Sequence, residues 1–307
     1  MIRLVPGETD TNAAARIRKV VWRWISVEPE AIEHLRATLP MFRDWLALLD
    51  GEPVGIGACG FHPMGEESAA AFVLNSVLRE ARGQGVGTAI YRQVSDYARS
   101  LGKSELETWG YEDDSGGVRF AEHHGFAVAG RSRSLRLVLK DCPQPAIKLP
   151  DGVVITTLAE RPELSRGIWE LLHEAMADIP YDGDAPMRPP SYEVFTARDL
   201  AGPKYIPEAT FVAIQDDEVI GYGRLAWMDR ADGIGDHAML AVRRSSRGKG
   251  IASALKAAQI AWALHNGLRE LRTGNEDRNA SARAVNAKFP YVPLPDQLLY
   301  RGPLANV

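Results

Sequence analysis

Short apolar runs with strand character alternate along this chain with longer segments whose apolar residues return every three or four positions. The first strand is expected at 2–5. A helix follows, entered at Asp10 or Thr11 and running to about residue 24. A second helix is expected at 29–39. Residues 45–49 and 54–61 read as a strand pair turning at Asp50 and Gly51. A strand at 69–78 leads into a helix at 87–101, where Ile90, Val94, Tyr97 and Leu101 share one face. Next come a strand at 104–109, a short helix at 118–124, and two short strands at 126–128 and 135–139. The proline-rich stretch 141–152 reads as a linker.

The same order then returns. A strand is expected at 153–157 and a helix at 163–177, followed by an insertion at 178–207 dense in Pro, Asp and Tyr. Strands at 211–214 and 219–225 turn at Asp216 and Asp217. A strand at 236–242, a helix at 252–265, a strand at 270–273, a short helix at 280–288 and a strand at 298–301 complete the half.

Between the strand and the long helix, each half carries a glycine-rich loop. The first reads Val77 … Arg82-Gly83-Gln84-Gly85-Val86-Gly87-Thr88; the second reads Ala241-Val242 … Arg247-Gly248-Lys249-Gly250-Ile251-Ala252-Ser253. Arg247 follows Arg82 by 165 residues, and Ala98, Gly102, Glu105, Leu106 and Thr108 recur at that offset as Ala263, Gly267, Glu270, Leu271 and Thr273. One unit is therefore present twice. A strand running through such a loop into a helix gathers backbone N–H groups at the positive end of a helix dipole, a site for phosphate or pyrophosphate. The Walker ending Gly-Lys-Ser/Thr is absent. The third glycine of a dinucleotide fingerprint is also missing, and the loop lies in mid-unit.

Composition narrows the setting. A length of 307 residues suits two domains, and 45% hydrophobic with 25% charged residues is ordinary globular composition. A net charge of −4 argues against a sequence-independent grip on nucleic acid. No apolar run of about 18 residues offers a membrane span. Cys59 and Cys142 form neither a metal spacing nor a disulfide framework, so a cytoplasmic setting is expected. His123 and His124 are adjacent on a helix and point apart, so no metal is expected there.

The Arg-Gly-x-Gly-x-Gly/Ala loop after a strand resembles the acetyl-CoA loop of the GNAT N-acetyltransferase superfamily. The resemblance covers nearly the whole chain. It implies an α/β (α+β) architecture of two tandem domains, each a mixed, mostly antiparallel, splayed sheet flanked by helices, at 1–143 and 151–307 with a linker at 144–150. It implies acetyl-CoA or another acyl-CoA as co-substrate, bound by the loop residues quoted above. The activity implied is N-acyl transfer to a primary amine of a small molecule or peptide, by direct attack in a ternary complex. A non-catalytic CoA-sensing module is the alternative. Oligomeric state is open.

In one branch of the family a glutamate six residues before the loop valine is the base. That position is Asp236 in the second half and Ala71 in the first. His237, next to it, is the alternative base, with a pKa better suited to neutral pH; alternation puts the two side chains on opposite faces, so one of them faces the cleft. The family's acid is a tyrosine in the short helix after the next strand. It is absent from both halves: Ala121 stands there in the first and Asn286 in the second, where a hydrogen bond to sulfur remains available. An asparagine seven residues earlier contacts CoA in the family; it is Asn279 here, against Asp114 in the first half. This asymmetry resembles the mycothiol-synthase-like tandem acetyltransferases. It implies a catalytic second half and a degenerate first. Asp178, Tyr181, Asp182 and Asp184 in the second-half insertion are expected to attract a cationic amine.

Overall fold

A computed structural model of the chain describes residues 1–23, 28–61, 68–180 and 187–306. Their order is β1 (Ile2–Pro6), α1 (Thr11–Val21), α2 (Pro29–Thr38), β2 (Arg43–Leu49), β3 (Glu52–Gly60), β4 (Ala70–Val77), α3 (Val86–Ser100), β5 (Glu105–Tyr111), α4 (Ser115–His123) and β6 (Ala127–Val138). The second half follows with β7 (Val154–Thr157), α5 (Ser165–Met176), α6 (Tyr192–Asp199), β8 (Tyr205–Gln215), β9 (Glu218–Asp229), β10 (Ile234–Val242), α7 (Ile251–His265), β11 (Glu270–Glu276), α8 (Ala280–Asn286) and β12 (Val292–Pro303).

The compact units do not follow the two sequence repeats. One comprises the described parts of Met1–Arg131 and Pro295–Val307, the other those of Ser132–Tyr181 and Met187–Leu294. The expected divide at 144–150 therefore falls inside the second unit, because each half gives its last strand away. Residues of β12 pair antiparallel with β5 of the first unit, Tyr300 lying opposite Thr108. Ser132–Val138 of β6 pair antiparallel with β11 of the second unit. The first unit's sheet runs β1-β2-β3-β4-β5-β12, and the second's runs β6-β11-β10-β9-β8-β7.

Both sheets are antiparallel except at one place, where β4 meets β5 and β10 meets β11 in parallel over three residue pairs. Beyond those pairs the strands are no longer hydrogen-bonded to each other. Each long helix lies across this region. Ile90, Val94 and Ala98 of α3 pack on Ala71, Val73 and Leu106, and Ile251, Leu255 and Ala258 of α7 join the core with Leu225 and Leu271. Burying each large apolar side chain stabilises by about 1.5–3 kcal/mol, which fixes the helices over the strand gap. On the first sheet's other face, Ala13, Ala14 and Ile17 of α1 and Ile32 of α2 cover Leu46 and Ile56. The Asp10 side chain caps α1, accepting from the Ala13 amide at 2.8 Å.

The two expected turns form as read, with positive φ at Asp50, Gly51, Asp216 and Asp217. Three expectations change. The short strands at 126–128 and 135–139 are one 12-residue strand, β6, and the strand at 298–301 is the middle of 12-residue β12. Polar side chains interrupt the apolar pattern of both: Arg131 of β6 pairs with Glu112 and with Asp296 of β12. The insertion at 178–207 is not wholly irregular. It holds α6, capped by Ser191, and the start of β8.

Candidate functional site

Both glycine loops have one geometry. Gly83 and Gly85, and Gly248 and Gly250, take φ of 77° and 84°, and 77° and 89°. An L side chain is strained there by about 1–2 kcal/mol, so the backbone path itself requires glycine. A Cβ at Gly83, Gly248 or Gly250 would meet nothing within 4 Å, and one at Gly85 meets Ile2 Cδ1 at 3.5 Å. The space beside each turn is therefore open to a ligand. Each loop arginine braces its turn: Arg82 Nε donates to the Val77 carbonyl at 3.1 Å and Arg247 Nε to that of Val242 at 3.0 Å. Gln84 and Lys249 occupy the x position of the Gly-x-Gly turn, where Lys249 adds a positive charge. Val86 and Ile251 turn their side chains into the core and leave only their amides to the loop. Thr88 lines the first cavity, and Ser253 lines the second and accepts from Lys288 Nζ at 2.8 Å.

A cavity opens at each loop. In the first unit it measures about 770 Å³ and runs from Gly83, Gly85 and Gly87 between β4 and β5 to Trp22, Tyr111 and Tyr300. In the second unit it measures about 630 Å³ and is bounded by Lys249, Gly250, Ser253, Lys288 and the proline-rich stretch 142–150. That stretch, read from sequence as a linker, thus walls the second loop.

The second unit's strand before its loop differs from the first's by one residue. The β9–β10 register shifts between His237 and Met239, so Ala238 is the extra residue of a β-bulge; β3 and β4 pair without a shift. Asp236 lies opposite Arg272 in the parallel pair, where Phe72 lies opposite Glu107. The first-half counterpart of Asp236 is therefore Phe72, not Ala71. Bulges free backbone groups from the ladder and re-aim side chains, and they recur beside active sites.

Asp236 is half-buried. Burial raises its carboxyl to about 6, against the pull of Lys204, Arg224, Lys256 and Arg272. His237 points the other way, under α7. Its Nδ1 lies 2.8 Å from Gln259 Oε1, which only accepts, so Nδ1 carries the proton. Nε2 then accepts from the Tyr291 hydroxyl at 2.6 Å. Burial, reinforced by the charge of Lys256, drives the imidazole well below its ordinary value, so His237 stays neutral. Lys256 is 2% exposed. It reaches Thr273 Oγ1 at 3.5 Å and the Tyr291 ring at 5.0 Å, and burial lowers its amine to about 7.

The remaining sequence-predicted residues fall as follows. Asn286 is buried and donates to Asn275 Oδ1 at 2.9 Å. Asn279 caps α8, accepting from the Ala282 amide and the Ser281 hydroxyl. Its counterpart Asp114 caps α4 and is ion-paired to Arg82 at 2.7 Å. Asp178 is not a free anion: Arg244 and Arg247 bind it at 2.5 and 2.8 Å and hold its carboxyl well below the carboxylate range. It closes on the loop arginine and braces it. Tyr181, Asp182 and Asp184 lie outside the described residues. No metal-binding group of side chains occurs among the described residues.

Sequence reasoning missed Lys256, Gln259, Tyr291 and Tyr300. Lys256 and Gln259 carried a signal, being polar residues three apart on an otherwise apolar helix face, where Tyr91 and Val94 stand in the first half. Tyr300 carried none, because it reaches the first unit only through the strand exchange.

Comparison with known proteins agrees with this geometry. The model of the acetyltransferase (GNAT) family matches twice, at residues 15–126 and 169–289. The chain is 25% identical over 267 residues to a mycothiol acetyltransferase of Thermomonospora curvata, covering 85% of this chain and 82% of the relative. It is 28% identical over 262 residues to one of Streptomyces coelicolor, covering 83% and 78%. A tandem GNAT protein from the clavulanic acid biosynthesis pathway shares the fold with a TM-score of 0.76 at 17% identity, each chain covered in full at 100%. A GCN5-related N-acetyltransferase from Sphaerobacter thermophilus does so with a TM-score of 0.73 at 20% identity, covering 99% and 96%. With a strand–loop–helix cradle built twice and the family's pattern matched twice, this chain belongs to the GNAT acetyltransferase family and is a tandem N-acetyltransferase.

Proposed function

We propose that the second unit transfers an acetyl group from acetyl-CoA to a primary amine of a small molecule, with Asp236 as the base. The observation that carries this reading is Asp236 itself. It is a half-buried carboxylate beside a β-bulge, at the end of the parallel β10–β11 pair, with its pKa raised to about 6. A general base works best with a pKa near the operating pH. An ordinary carboxylate near 4 is too weak, and desolvation at this strand corrects that.

The chain's residues then divide the work. The Gly248–Ser253 amides and Lys249 bind the pyrophosphate of acyl-CoA, which supplies the thioester carbon that the amine attacks. Asp236 takes the ammonium proton, directly or through a water, and so exposes the nitrogen lone pair. The new C–N bond forms as the C–S bond breaks, and the departing sulfur needs a proton or a donor. Asn286, at the family's tyrosine position, has its amide engaged with Asn275. That amide keeps a second N–H for the step, whereas the Tyr291 hydroxyl gives its only proton to His237 Nε2.

The acceptor follows from charge. Lys204, Arg224, Lys256 and Arg272 all act on Asp236. They favour an acceptor that carries hydroxyl or carboxylate groups beside its amine. The curated relatives, named mycothiol acetyltransferases, support a small-molecule acceptor. Incubation of the purified chain with acetyl-CoA and a panel of amino sugars, aminoglycosides, polyamines and peptide N-termini, read by mass spectrometry, tests this. N-acetylation of an amino sugar or amino-acid-like amine is expected. Acetylation of polyamines alone contradicts the charge argument, and no acetylated product from any amine contradicts the reaction.

A further inference from the structure

The first unit keeps a cavity of about 770 Å³ that leads from the glycine loop to a polar inner end. Most of the polar groups there are committed. Trp22 Nε1 donates to Ser76 Oγ at 2.6 Å, and the Tyr111 hydroxyl accepts from the Arg23 amide at 2.6 Å. Asn75 Nδ2 donates to the Gly87 carbonyl at 2.9 Å. Tyr300 is different. It lines the cavity, is 4% exposed, and its buried hydroxyl has no hydrogen-bond partner among the described residues. A buried hydroxyl without a partner is destabilising, so such groups in native proteins call for an explanation.

The surroundings of Tyr300 indicate what the hydroxyl serves. Its ring packs on Ala121 of α4, the position at which the family pattern carries a tyrosine. Gly110 of β5 makes room for it, since a Cβ there would lie 3.2 Å from Tyr300 Cε2. The ring is delivered by β12, opposite Thr108, and so comes from the other half of the sequence. Burial raises the phenol above its ordinary value, which keeps the hydroxyl protonated and able to donate.

We propose that, with acyl-CoA on the first glycine loop, the Tyr300 hydroxyl supplied by the exchanged strand donates a hydrogen bond to the inner, thioester-bearing end of that ligand. The tyrosine lost from α4 is thus replaced in space by one from the exchanged strand. This rests on reading the loops as CoA sites. It adds that the first unit's site is completed by a hydroxyl from the C-terminal strand.

Calorimetric titration of the full chain with acetyl-CoA tests it. Two sites per chain are expected. Lys249→Glu, which reverses a charge beside the second loop without straining a glycine, should weaken one of them and leave the other. In that background Tyr300→Phe should weaken the remaining site about tenfold. Without ligand, Tyr300→Phe should leave the thermal midpoint unchanged or raise it, because an unpartnered hydroxyl is removed. Unchanged affinity in Tyr300→Phe overturns the proposal, as does a lowered ligand-free midpoint, which would give the hydroxyl to the fold. A single site that Lys249→Glu abolishes overturns it too, while leaving the second unit's assignment standing. No acetyl-CoA binding at all would overturn both.

Discussion

Asp236 and Lys256 show how one strand gap tunes two opposite charges. Both lose hydration, which pushes the carboxyl up to about 6 and the amine down to about 7. For Lys256 the consequence is in stability. With the folded pKa near 7 and the unfolded near 10.4, the unfolded chain holds more protons between those values. Stability from this group therefore rises with pH from 7 to about 10 and is lowest below 7. Lys256→Met keeps the volume and removes the charge. Its thermal midpoint should exceed that of the native chain at pH 6 by several degrees, with the gap closing by pH 10. A midpoint lowered at pH 6 would mean that the ammonium is well paired in the fold. Nothing in the sequence gave Lys256 this setting except its place on an apolar helix face.

At the scale of elements, the strand–loop–helix unit was legible because its determinants are local. Glycine at positive φ, a small residue in the first helical turn and an arginine that braces the preceding strand all lie within a dozen residues. Gly250→Ala should lower the unfolding free energy by about 1–2 kcal/mol through backbone strain alone, since its Cβ meets nothing within 4 Å. Gly87→Ala, where φ is ordinary and Phe120 Cε2 lies at 3.1 Å, should cost less, because the second loop already carries Ala252 there. Urea denaturation with an unchanged m-value measures both. The opposite ranking would show that packing, not backbone conformation, sets the loop. The bulge at Ala238 was not legible, because one inserted residue leaves the apolar pattern almost intact. It moved the counterpart of Asp236 from Ala71 to Phe72.

For the whole molecule, the exchange of β6 and β12 decides what folds alone. It depends on contacts far apart in sequence, so the unit boundaries at 131 and 294 were not readable. Residues 1–143 lack Leu298, Leu299 and Tyr300, which are buried in the first unit. They also leave the β5 edge unpaired, a hazard for aggregation. That fragment should be insoluble or bind hydrophobic dye, whereas residues 1–131 joined by a flexible linker to 295–307 should give a cooperative unfolding transition. A cooperative 1–143 fragment would contradict the exchange. The central claim, acetyl transfer with Asp236 as base, is tested most directly by the pH dependence of CoA thiol release with an accepted amine. The native chain should lose kcat/KM below an apparent pKa of about 6, where Asp236 takes a proton. Asp236→Asn should lower kcat by about 10²–10⁴-fold at pH 7 and abolish that limb, with acetyl-CoA affinity unchanged. Near-native kcat at pH 7 in Asp236→Asn, with the acid limb still present, would contradict it.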